Sequence, residues 1–377
     1  MSKKVLITGV SGQDGSHMVD YILKNTDYLI YGMTRRLSKP DYSNIRKILN
    51  NPRFKLVTGD LGDSQSIENL VREIQPDYFI NFAAQSFVGS SWEIPEQTFD
   101  AGAMGVLRCL ESIRKYAPNC RYYGAGSSEE FGEVIASPQN ESHPFRPQSP
   151  YGAAKVAARM LTRVYRKSYD LYAIQGILFN HEGTRRGEEF VTRKITKAIP
   201  DIMHCVELNL DTKPIELGNL DAKRAWSDAE DFVDGVWRML NQEIFNKNYP
   251  VSACQDLKLS RKYFINGLKE YILSSNETHT VREFVEEAFA VASTMVLLEE
   301  KHTFKWVGSG LDERFIINCY EKDFTLVKIN PKFYRPAEVN LLYGDSSLAR
   351  KELGWAPKTS FKELVRKMVE NDFDMAY

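Results

Sequence analysis

The first fifteen residues contain a glycine-rich turn that restricts the fold more than any other segment. Lys3 to Thr8 ends in the apolar run VLIT and predicts a short strand. GVSGQDG follows it and predicts a tight turn before a helix that begins near Ser16. Glycines let the backbone approach a pyrophosphate there, while the helix N-terminus presents free amides to the phosphates. The predicted dinucleotide-binding residues of this turn are Gly9, Ser11, Gly12, Gln13, Asp14 and Gly15.

A second strand, predicted from Tyr28 to Met33, should deliver the side chain that contacts the adenosine ribose. Sites for NAD usually have an acidic residue at this point, whereas this chain has Arg35 and Arg36. The forked donors of two guanidinium groups match the oxygens of a 2′-phosphate. We therefore predict NADP as the cofactor; the alternative interpretation is a solvated basic turn.

Strand and helix signals alternate through the first half of the chain. Strands are predicted at 54–58, 78–82, 120–125 and 172–178, and helices at 64–74 and 104–115. This alternation predicts an α/β fold with a doubly wound, mostly parallel sheet of the Rossmann type. Cofactor contacts are expected where strands end; an alternative for the alanines is packing alone. The residues concerned are Asp60, Leu61, Ala83, Ala84, Gln85 and Ser86.

A segment after the predicted strand at 120–125 carries the candidate catalytic groups Ser127, Glu129, Tyr151 and Lys155. If the residues after Pro150 form a helix, Tyr151 and Lys155 lie on one face, and the ammonium lowers the pKa of the phenol. A tyrosine with such help can act as a general base near neutral pH. The alternative is an exposed helical pair. For Glu129 the alternative is a solvated turn carboxylate, and the same description could apply to its neighbour Glu130.

Charge and cysteine usage exclude several classes of function. The 377 residues include 49 Lys plus Arg and 50 Asp plus Glu, so neither nucleic acid nor an anionic membrane is an expected partner. The five cysteines form no C-x-x-C arrangement, which favours reduced thiols and no metal site. The N-terminus enters the first strand directly, and no apolar run could cross a bilayer, so we expect a cytoplasmic location.

Two domains are predicted from the change in pattern along the chain. Residues 1–180 should form the NADP-binding Rossmann domain that carries the catalytic residues. The alternation of strands and helices stops after that point, so residues 181–377 are expected to form mainly a smaller lobe, interleaved with the first domain. The stretch at 244–268 has Pro, Asn and mixed charge with aromatic residues, and we interpret it as an insertion on the surface.

The chain resembles the extended short-chain dehydrogenase/reductase superfamily and, within it, the GDP-mannose 4,6-dehydratase family. The resemblance covers nearly the whole sequence. It is carried by GVSGQDGS, NHEGTRRGEEFVTRKIT, LGNLDAKRAW, THTVREFV, FYRPAEVNLLYGD and LGWAPK. The glycine turn and the Tyr-Lys pair are typical of the superfamily, whereas the second and fifth of these stretches are characteristic of the dehydratases.

This resemblance implies a redox-neutral dehydration of GDP-mannose to GDP-4-keto-6-deoxy-mannose, with NADP retained. Tyr151 would take the proton of the 4-hydroxyl group, and Lys155 would support Tyr151 and bind the nicotinamide ribose. Glu129 would remove the C5 proton and help the C6 hydroxyl leave, while Ser127 would donate a hydrogen bond to the C4 oxygen. Family members usually have Thr-Ser-Glu where this chain has Ser-Ser-Glu, a change that keeps the hydroxyl group.

The resemblance also implies a substrate-binding C-terminal lobe and a homo-oligomer, either a dimer or a tetramer. His181 and Arg186 would lie on the cofactor side. The implied substrate contacts are Ser86, Ser127, Glu129, Tyr151, Asn180, Val191, Lys194, Arg224, Arg335 and Glu338. Without the resemblance, His181 would be interpreted as a structural histidine, and Arg193 with Lys194 as the solvated face of a helix.

Three functions are compatible with these features. The first is GDP-mannose 4,6-dehydratase activity. The second is a related enzyme of the same fold, either a dehydratase for GDP-manno-heptose or a nucleotide-sugar 4-epimerase or reductase. The segment from Phe87 to Trp92, near the expected position of the sugar, departs from the family pattern and leaves room for an altered hexose or a heptose. The third is an NADP-binding protein without activity, which has no need of a base such as Glu129.

Overall fold

The computed structural model describes residues 2–242, 262, 265–299, 301–334 and 341–376. The chain divides into two compact units. The first comprises Met1–Phe179, Ala229–Asn276 and Gly344–Pro357, and the second comprises Asn180–Asp228, Glu277–Tyr343 and Lys358–Tyr377. Most of the predicted insertion at 244–268 lies outside the described residues, as do Arg335 and Glu338.

Short strands and longer helices alternate along the chain. The strands are β1 (Lys4–Thr8), β2 (Leu29–Thr34), β3 (Phe54–Thr58), β4 (Tyr78–Asn81), β5 (Arg121–Ala125), β6 (Ala173–Leu178), β7 (His181–Glu182), β8 (Ile215–Leu217), β9 (Lys223–Arg224), β10 (Ser227–Asp228), β11 (Ile272–Leu273), β12 (His279–Thr280), β13 (Thr303–Val307), β14 (Arg314–Cys319), β15 (Lys322–Ile329) and β16 (Leu341–Leu342). The helices are α1 (Gln13–Asn25), α2 (Ser64–Ile74), α3 (Pro95–Phe99), α4 (Gly105–Tyr116), α5 (Pro150–Tyr169), α6 (Val191–Glu207), α7 (Ala229–Leu240), α8 (Val281–Ala292), α9 (Ser347–Leu353) and α10 (Phe361–Ala376).

A seven-stranded sheet organises the first unit. Its strand order is β11-β6-β5-β4-β1-β2-β3, and every neighbouring pair is parallel. All residues of β4 and β6 are buried, as expected for central strands covered on both faces. The sheet confirms the predicted doubly wound α/β fold.

Apolar side chains on the two faces of this sheet form separate cores. On one face, Val5 of β1 shares a core with Met18 of α1 and Phe232 of α7. On the other, Leu6 of β1 shares a core with Leu110 of α4. Successive residues of a strand point to opposite faces, so the run VLI in β1 serves both cores.

The strand order reverses beside β1, which lies between β2 and β4. The chain runs from β1 to β2 and β3 on one side, and then returns through α2 to β4 on the other. Such a switch point opens a crevice at the carboxyl ends of the strands, where open α/β sheets bind ligands. The turn after β1 and the segments after β4 and β5 therefore lie at the same edge.

The second unit contains a four-stranded sheet with the order β13-β14-β15-β8, in which β8 pairs parallel to β15 and the other pairs are antiparallel. Helices α6, α8 and α10 share one apolar core with it; Ile199, Phe284 and Val365 are among the buried members. Two smaller sheets, β12-β9-β16 and β10-β7, complete the unit.

The units interleave beyond the predicted boundary at residue 180. Residues 229–276 and 344–357 lie in the first unit, because β11 extends the parallel sheet beside β6 and α7 packs on α1. No helix within the described ranges is both long enough and apolar enough to cross a membrane.

Candidate active site

The turn between β1 and α1 leaves no space for side chains at two of its glycines. Gly9 has a φ of +66°, and a Cβ atom on it would lie 2.9 Å from the Ala83 nitrogen. A Cβ atom on Gly15 would lie 2.3 Å from the Gly9 carbonyl oxygen. Gly12 precedes α1 and donates its amide to that same oxygen at 3.0 Å. The N-cap residue of α1 is Gly12, so no side chain caps the first amides of the helix, an arrangement that fits a dinucleotide pyrophosphate.

The residues predicted to contact the adenosine end follow β2 and β3. Arg35 and Arg36 are both exposed just after β2. Asp60 is exposed after β3, and one of its carboxylate oxygens accepts a hydrogen bond from the Gly62 amide at 2.9 Å. Leu61 is buried instead, so its side chain belongs to the core beside α4.

Two polar residues that the sequence analysis missed hold the segment after β4. The Thr8 hydroxyl donates to Asn81 Oδ1 at 2.5 Å and accepts from the Ala83 amide at 3.1 Å. These bonds join the carboxyl ends of the neighbouring strands β1 and β4. Of the other predicted contacts, Ala84 and Gln85 are half-buried and Ser86 is exposed.

Ser127 ends the approach from β5 in an extended conformation and caps the short 3₁₀ helix Ser128–Glu130. Its Oγ accepts from the Glu129 amide at 3.2 Å, while its own amide donates to Glu130 Oε1 at 2.8 Å. Such a reciprocal capping box fixes the backbone of a short turn. Ser127 and Glu129 are both half-buried at the carboxyl end of a central strand.

Tyr151 and Lys155 lie in the first turns of α5, which begins at Pro150 after the N-cap Ser149. Tyr151 is 9% exposed and Lys155 is 6% exposed, so the alternative of an exposed helical pair is wrong. Lys155 Nζ lies 5.6 Å from the Tyr151 ring centroid and donates to the Ala125 carbonyl oxygen at 2.7 Å.

Burial lowers the pKa of Lys155 to about 8, against the opposing effect of negative charge on Glu130 and Asp14. A lysine with such a pKa loses its charge near physiological pH, whereas an ordinary exposed lysine stays protonated there.

Glu130 is not the solvated turn carboxylate that the sequence suggested. It is fully buried and paired with Arg159, which is also fully buried. Gly126 provides the space for this pair, because a Cβ atom there would lie 2.6 Å from both side chains and 2.2 Å from the Gly176 carbonyl oxygen. The available signal was Arg159 itself, an arginine on the buried face of α5 one turn after Lys155.

Predicted ligand-binding residues of the second unit surround β7 and α6. Asn180 precedes β7, and its Oδ1 atom is buried with no hydrogen-bond partner among the described residues. Its carbonyl oxygen accepts from the amide of Ser227, whose hydroxyl oxygen is likewise buried and unsatisfied in the described part of the chain. His181 is half-buried and pairs with Ser227 in the β7-β10 register. Orphaned polar atoms of this kind suit a polar ligand.

Cationic side chains of this unit have protein partners. Arg186 Nε lies 2.9 Å from Glu182 Oε2, and its guanidinium is 3.5 Å from the centroid of the Phe190 ring. Lys194 Nζ lies 3.6 Å from the centroid of the Phe333 ring, and burial lowers the pKa of this lysine. Arg224 is buried in β9 and donates to the Lys223 carbonyl oxygen at 2.9 Å.

Helix α6 begins at Val191, and the burial of its next residues tests whether Arg193 and Lys194 belong to a solvated helix face. Arg193 is only 6% exposed and forms an ion pair with Asp372, so it does not belong to a solvated helix face. Lys194 is half-buried and donates to the Glu216 carbonyl oxygen at 2.5 Å.

No group of three or more His, Cys, Asp or Glu residues in the described ranges could hold a metal ion. Cys109, Cys120 and Cys319 are buried and Cys205 is half-buried. Burial raises the pKa values of the Cys109 and Cys120 thiols, which disfavours the reactive thiolate.

Comparison with curated proteins gives matches along nearly the full chain. A family model described as GDP-mannose 4,6 dehydratase matches residues 6–260 and 262–368. The GDP-mannose 4,6 dehydratase of Drosophila melanogaster is 39% identical over 381 residues, covering 99% of this chain and 87% of its own. The Homo sapiens protein of the same name is 36% identical over 378 residues, covering 98% and 91%.

Solved structures with the same fold have lower sequence identity. A dTDP-glucose 4,6-dehydratase from Bacillus anthracis in complex with NAD has a TM-score of 0.71 and 19% identity, covering 98% of this chain and 96% of its own. RMD from Pseudomonas aeruginosa complexed with NADPH has a TM-score of 0.69 and 19% identity, covering 99% and 100%. These similarities support the fold, and the full-length matches above determine the family. The chain belongs to the GDP-mannose 4,6-dehydratase family.

Proposed function

We propose that the protein converts GDP-mannose to GDP-4-keto-6-deoxy-mannose by removing one water molecule. One observation carries this proposal beyond family membership. The buried Tyr151–Lys155 pair lies at the sheet edge where Ser127 and Glu129 follow β5. A proton acceptor for a hydroxyl group and a carboxylate for a second proton are the two groups that this dehydration requires.

Oxidation at C4 makes the C5 proton acidic, and it is the first task of the site. Tyr151 takes the proton of the 4-hydroxyl group, helped by the nearby ammonium of Lys155, which favours the phenolate. A nicotinamide held beside Lys155 would supply the reversible hydride acceptor that oxidation at C4 and reduction at C6 require. Ser127 donates a hydrogen bond to the C4 oxygen.

Glu129 serves the elimination step. Once C4 carries a ketone, a carboxylate can remove the C5 proton, and the resulting acid can protonate the departing C6 hydroxyl group. The capping box fixes the backbone of Glu129 beside the start of α5. A Cβ atom on Gly152 would lie only 2.6 Å from the Glu129 carbonyl oxygen, so this backbone packs closely on the helix. A 4-epimerase needs no base of this kind, which favours dehydration over that alternative.

We infer that the cofactor is NADP. The glycine turn fits a pyrophosphate, and Arg35 with Arg36 supplies exposed positive charge at the end of β2, where a 2′-phosphate would lie. Lys155 is proposed to bind the nicotinamide ribose. His181 and Arg186 are proposed as further cofactor contacts.

The second unit is proposed to bind the nucleotide diphosphate. Asn180 is supported by its unsatisfied buried oxygen. Val191 and Lys194 of α6 and Arg224 of β9 are further proposed contacts. Arg335 and Glu338 lie outside the described residues and are proposed from the sequence only. Arginine and lysine side chains suit a dianion because their hydrogen bonds to phosphate are charge-assisted.

A homo-oligomer is also proposed, either a dimer or a tetramer. Helix α5 presents Met160, which is 41% exposed, and Val164, which is 51% exposed, one helical turn apart, and Met104 just before α4 is 38% exposed. A second copy of the chain is the proposed occupant of this face of α5, since exposed apolar patches often mark sites of protein association. Light scattering on the wild type and on Val164→Glu tests it.

The test of the activity mixes the purified protein with GDP-mannose without added reductant. The mass of the nucleotide sugar and the absorbance of NADPH are then followed together. Loss of one water without accumulation of NADPH supports the proposal. An unchanged mass contradicts it, and GDP-manno-heptose is then the next substrate to test.

A further inference from the structure

A buried charge network underlies the segment that carries the candidate catalytic residues. Glu130 Oε1 accepts hydrogen bonds from the Ser127 amide at 2.8 Å, from Arg159 Nη2 at 3.0 Å and from Gln175 Nε2 at 3.2 Å. Its other oxygen pairs with Arg159 Nε. The Glu130 carboxylate thus joins the 3₁₀ turn, α5 and β6 at one point.

Arg159 and Gln175 extend this network toward Lys155. Arg159 lies one helical turn after Lys155 on α5, and its Nη1 donates to the Gln175 carbonyl oxygen at 2.8 Å and to Glu270 Oε2 at 2.7 Å. The Gln175 side chain donates to the Lys155 carbonyl oxygen at 3.0 Å as well as to Glu130. One amide group therefore bonds both to the turn that holds Ser127 and to the helix that holds Lys155.

We propose that Glu130 and Arg159 are positioning residues, which hold the backbone of Ser127 and the helical turn of Lys155 in one arrangement for catalysis. A buried charge without its partner is costly, so the carboxylate and the guanidinium restrict each other strongly. Catalytic groups lose much of their effect when they are displaced by about 1 Å. The proposal rests on the dehydratase function given above.

The network also surrounds the Lys155 ammonium with charge from three elements. Asp14 faces it from α1, Glu130 from the 3₁₀ turn and Arg159 from α5, with the phenol of Tyr151 nearby on the same helix. The two carboxylates favour the ammonium form and Arg159 opposes it. Loss of the Glu130 charge should therefore lower the pKa of Lys155.

The test compares Glu130→Gln with Glu270→Gln. Both variants neutralise a carboxylate that pairs with Arg159, but Glu270 otherwise bonds to Arg163 and Arg166 and does not contact Ser127. Two quantities are measured for each folded protein. The first is the kcat and KM for GDP-mannose; the second is the titration of Lys155 in protein with ¹³C-labelled lysine, assigned with Lys155→Arg.

Glu130→Gln is expected to lower kcat on the order of tenfold with little change in KM, because the groups are displaced but the substrate contacts remain. It should lower the pKa of Lys155 by roughly one unit. Glu270→Gln should change both quantities much less, because no hydrogen bond of Glu270 in the described residues reaches the Ser127 turn or Lys155. Equal effects of the two variants on both quantities would overturn the proposal, because the network would then support stability only.

Two further outcomes are separated by the design. If the wild type removes no water from GDP-mannose, the proposed function fails. The lysine titration then decides the positioning proposal, and an unchanged pKa of Lys155 in Glu130→Gln refutes it. If Glu130→Gln does not fold, Gln175→Met removes the shared amide without leaving a buried charge unpaired. A wild-type kcat in Gln175→Met would refute the proposal, and a loss of several-fold would support it.

Discussion

Lys155 Nζ lies 5.6 Å from the centroid of the Tyr151 ring, and both side chains are almost completely buried. The lysine is held in place by the Ala125 carbonyl oxygen, which accepts its hydrogen bond at 2.7 Å. An ammonium fixed beside a phenol in a site with little water stabilises the phenolate more strongly than it could in solvent. The burial of the pair shows that it is not a surface contact, and it supports the proposed role of Tyr151 as a general base.

Tyr151→Phe should lower kcat by about 10²- to 10⁴-fold, the usual contribution of a general acid or base, and should change KM little. Tyr169→Phe, which alters a half-exposed tyrosine at the end of the same helix, is the matched control and should keep wild-type kinetics. Steady-state assays of GDP-mannose dehydration measure both. A Tyr151→Phe enzyme with wild-type kcat would exclude Tyr151 as the base.

The value of kcat/KM should fall as the pH rises through about 8, the pKa of Lys155. Below that pH the lysine carries the positive charge that favours the phenolate; above it the charge is lost. Lys155→Arg keeps a charge that does not titrate in this range, so its remaining activity should lack the decline. Identical alkaline profiles in the two proteins would assign the decline to another group.

Glu129→Gln should abolish proton exchange at C5 and lower the rate of water loss by roughly 10²- to 10⁴-fold. Oxidation at C4 needs no carboxylate, so a single turnover should leave NADPH bound to the protein. Glu133→Gln is the control, because Glu133 is an exposed carboxylate in the same segment. Mass spectrometry in D₂O follows the exchange, and normal C5 exchange in Glu129→Gln would contradict the role.

Replacing Arg35 and Arg36 together by alanine should weaken the affinity for NADP by roughly 10- to 100-fold, since charge-assisted hydrogen bonds to the 2′-phosphate are lost. Affinity for NAD should hardly change, because NAD lacks that phosphate. Lys39→Ala removes an exposed charge from the same loop and serves as the control. Calorimetric titrations give the affinities of the wild type and both variants for NADP and for NAD; an equal loss for both cofactors in the double variant would argue against recognition of the 2′-phosphate.

Gly15→Ala should lower the free energy of unfolding by about 1–3 kcal/mol, the range for forcing an extra methyl group into a packed site. The added atom would lie 2.3 Å from the Gly9 carbonyl oxygen, and backbone atoms cannot move aside as a flexible side chain can. At Gly12 the corresponding distance is 3.3 Å, so Gly12→Ala should cost less. Urea denaturation without cofactor measures the free energy of unfolding of both variants. Equal values for Gly15→Ala and Gly12→Ala would contradict the close packing at Gly15.

Local patterns were sufficient to predict the parallel sheet and the edge that carries the site. The glycine turn directly follows the apolar run of β1 in the sequence. Ser127 and Glu129 likewise follow within a few residues of the end of β5. These features depend on short-range backbone geometry, which periodicity and turn residues reveal. The roles of these residues, and those of the second unit, remain predictions.

Long-range features were not predictable in the same way. Glu130 has the same residue type as a solvated carboxylate, and the sequence does not indicate that it is buried and paired with Arg159, which is distant in sequence. Strand β11 has two residues, too few for any periodicity, although it extends the main sheet beside β6. Polar residues in a core are specified by partners that folding brings together, and a single sequence does not name those partners.

The interleaving of the two units has a consequence for biosynthesis. The chain passes from one unit to the other after residues 179, 228, 276, 343 and 357. Trp355, almost at the end of the last segment of the first unit, is buried and donates its indole N–H to the Asp231 carbonyl oxygen at 2.8 Å. A ribosome must therefore synthesise the chain as far as residue 357 before the first unit can close, and cutting the chain at one point cannot yield either unit intact.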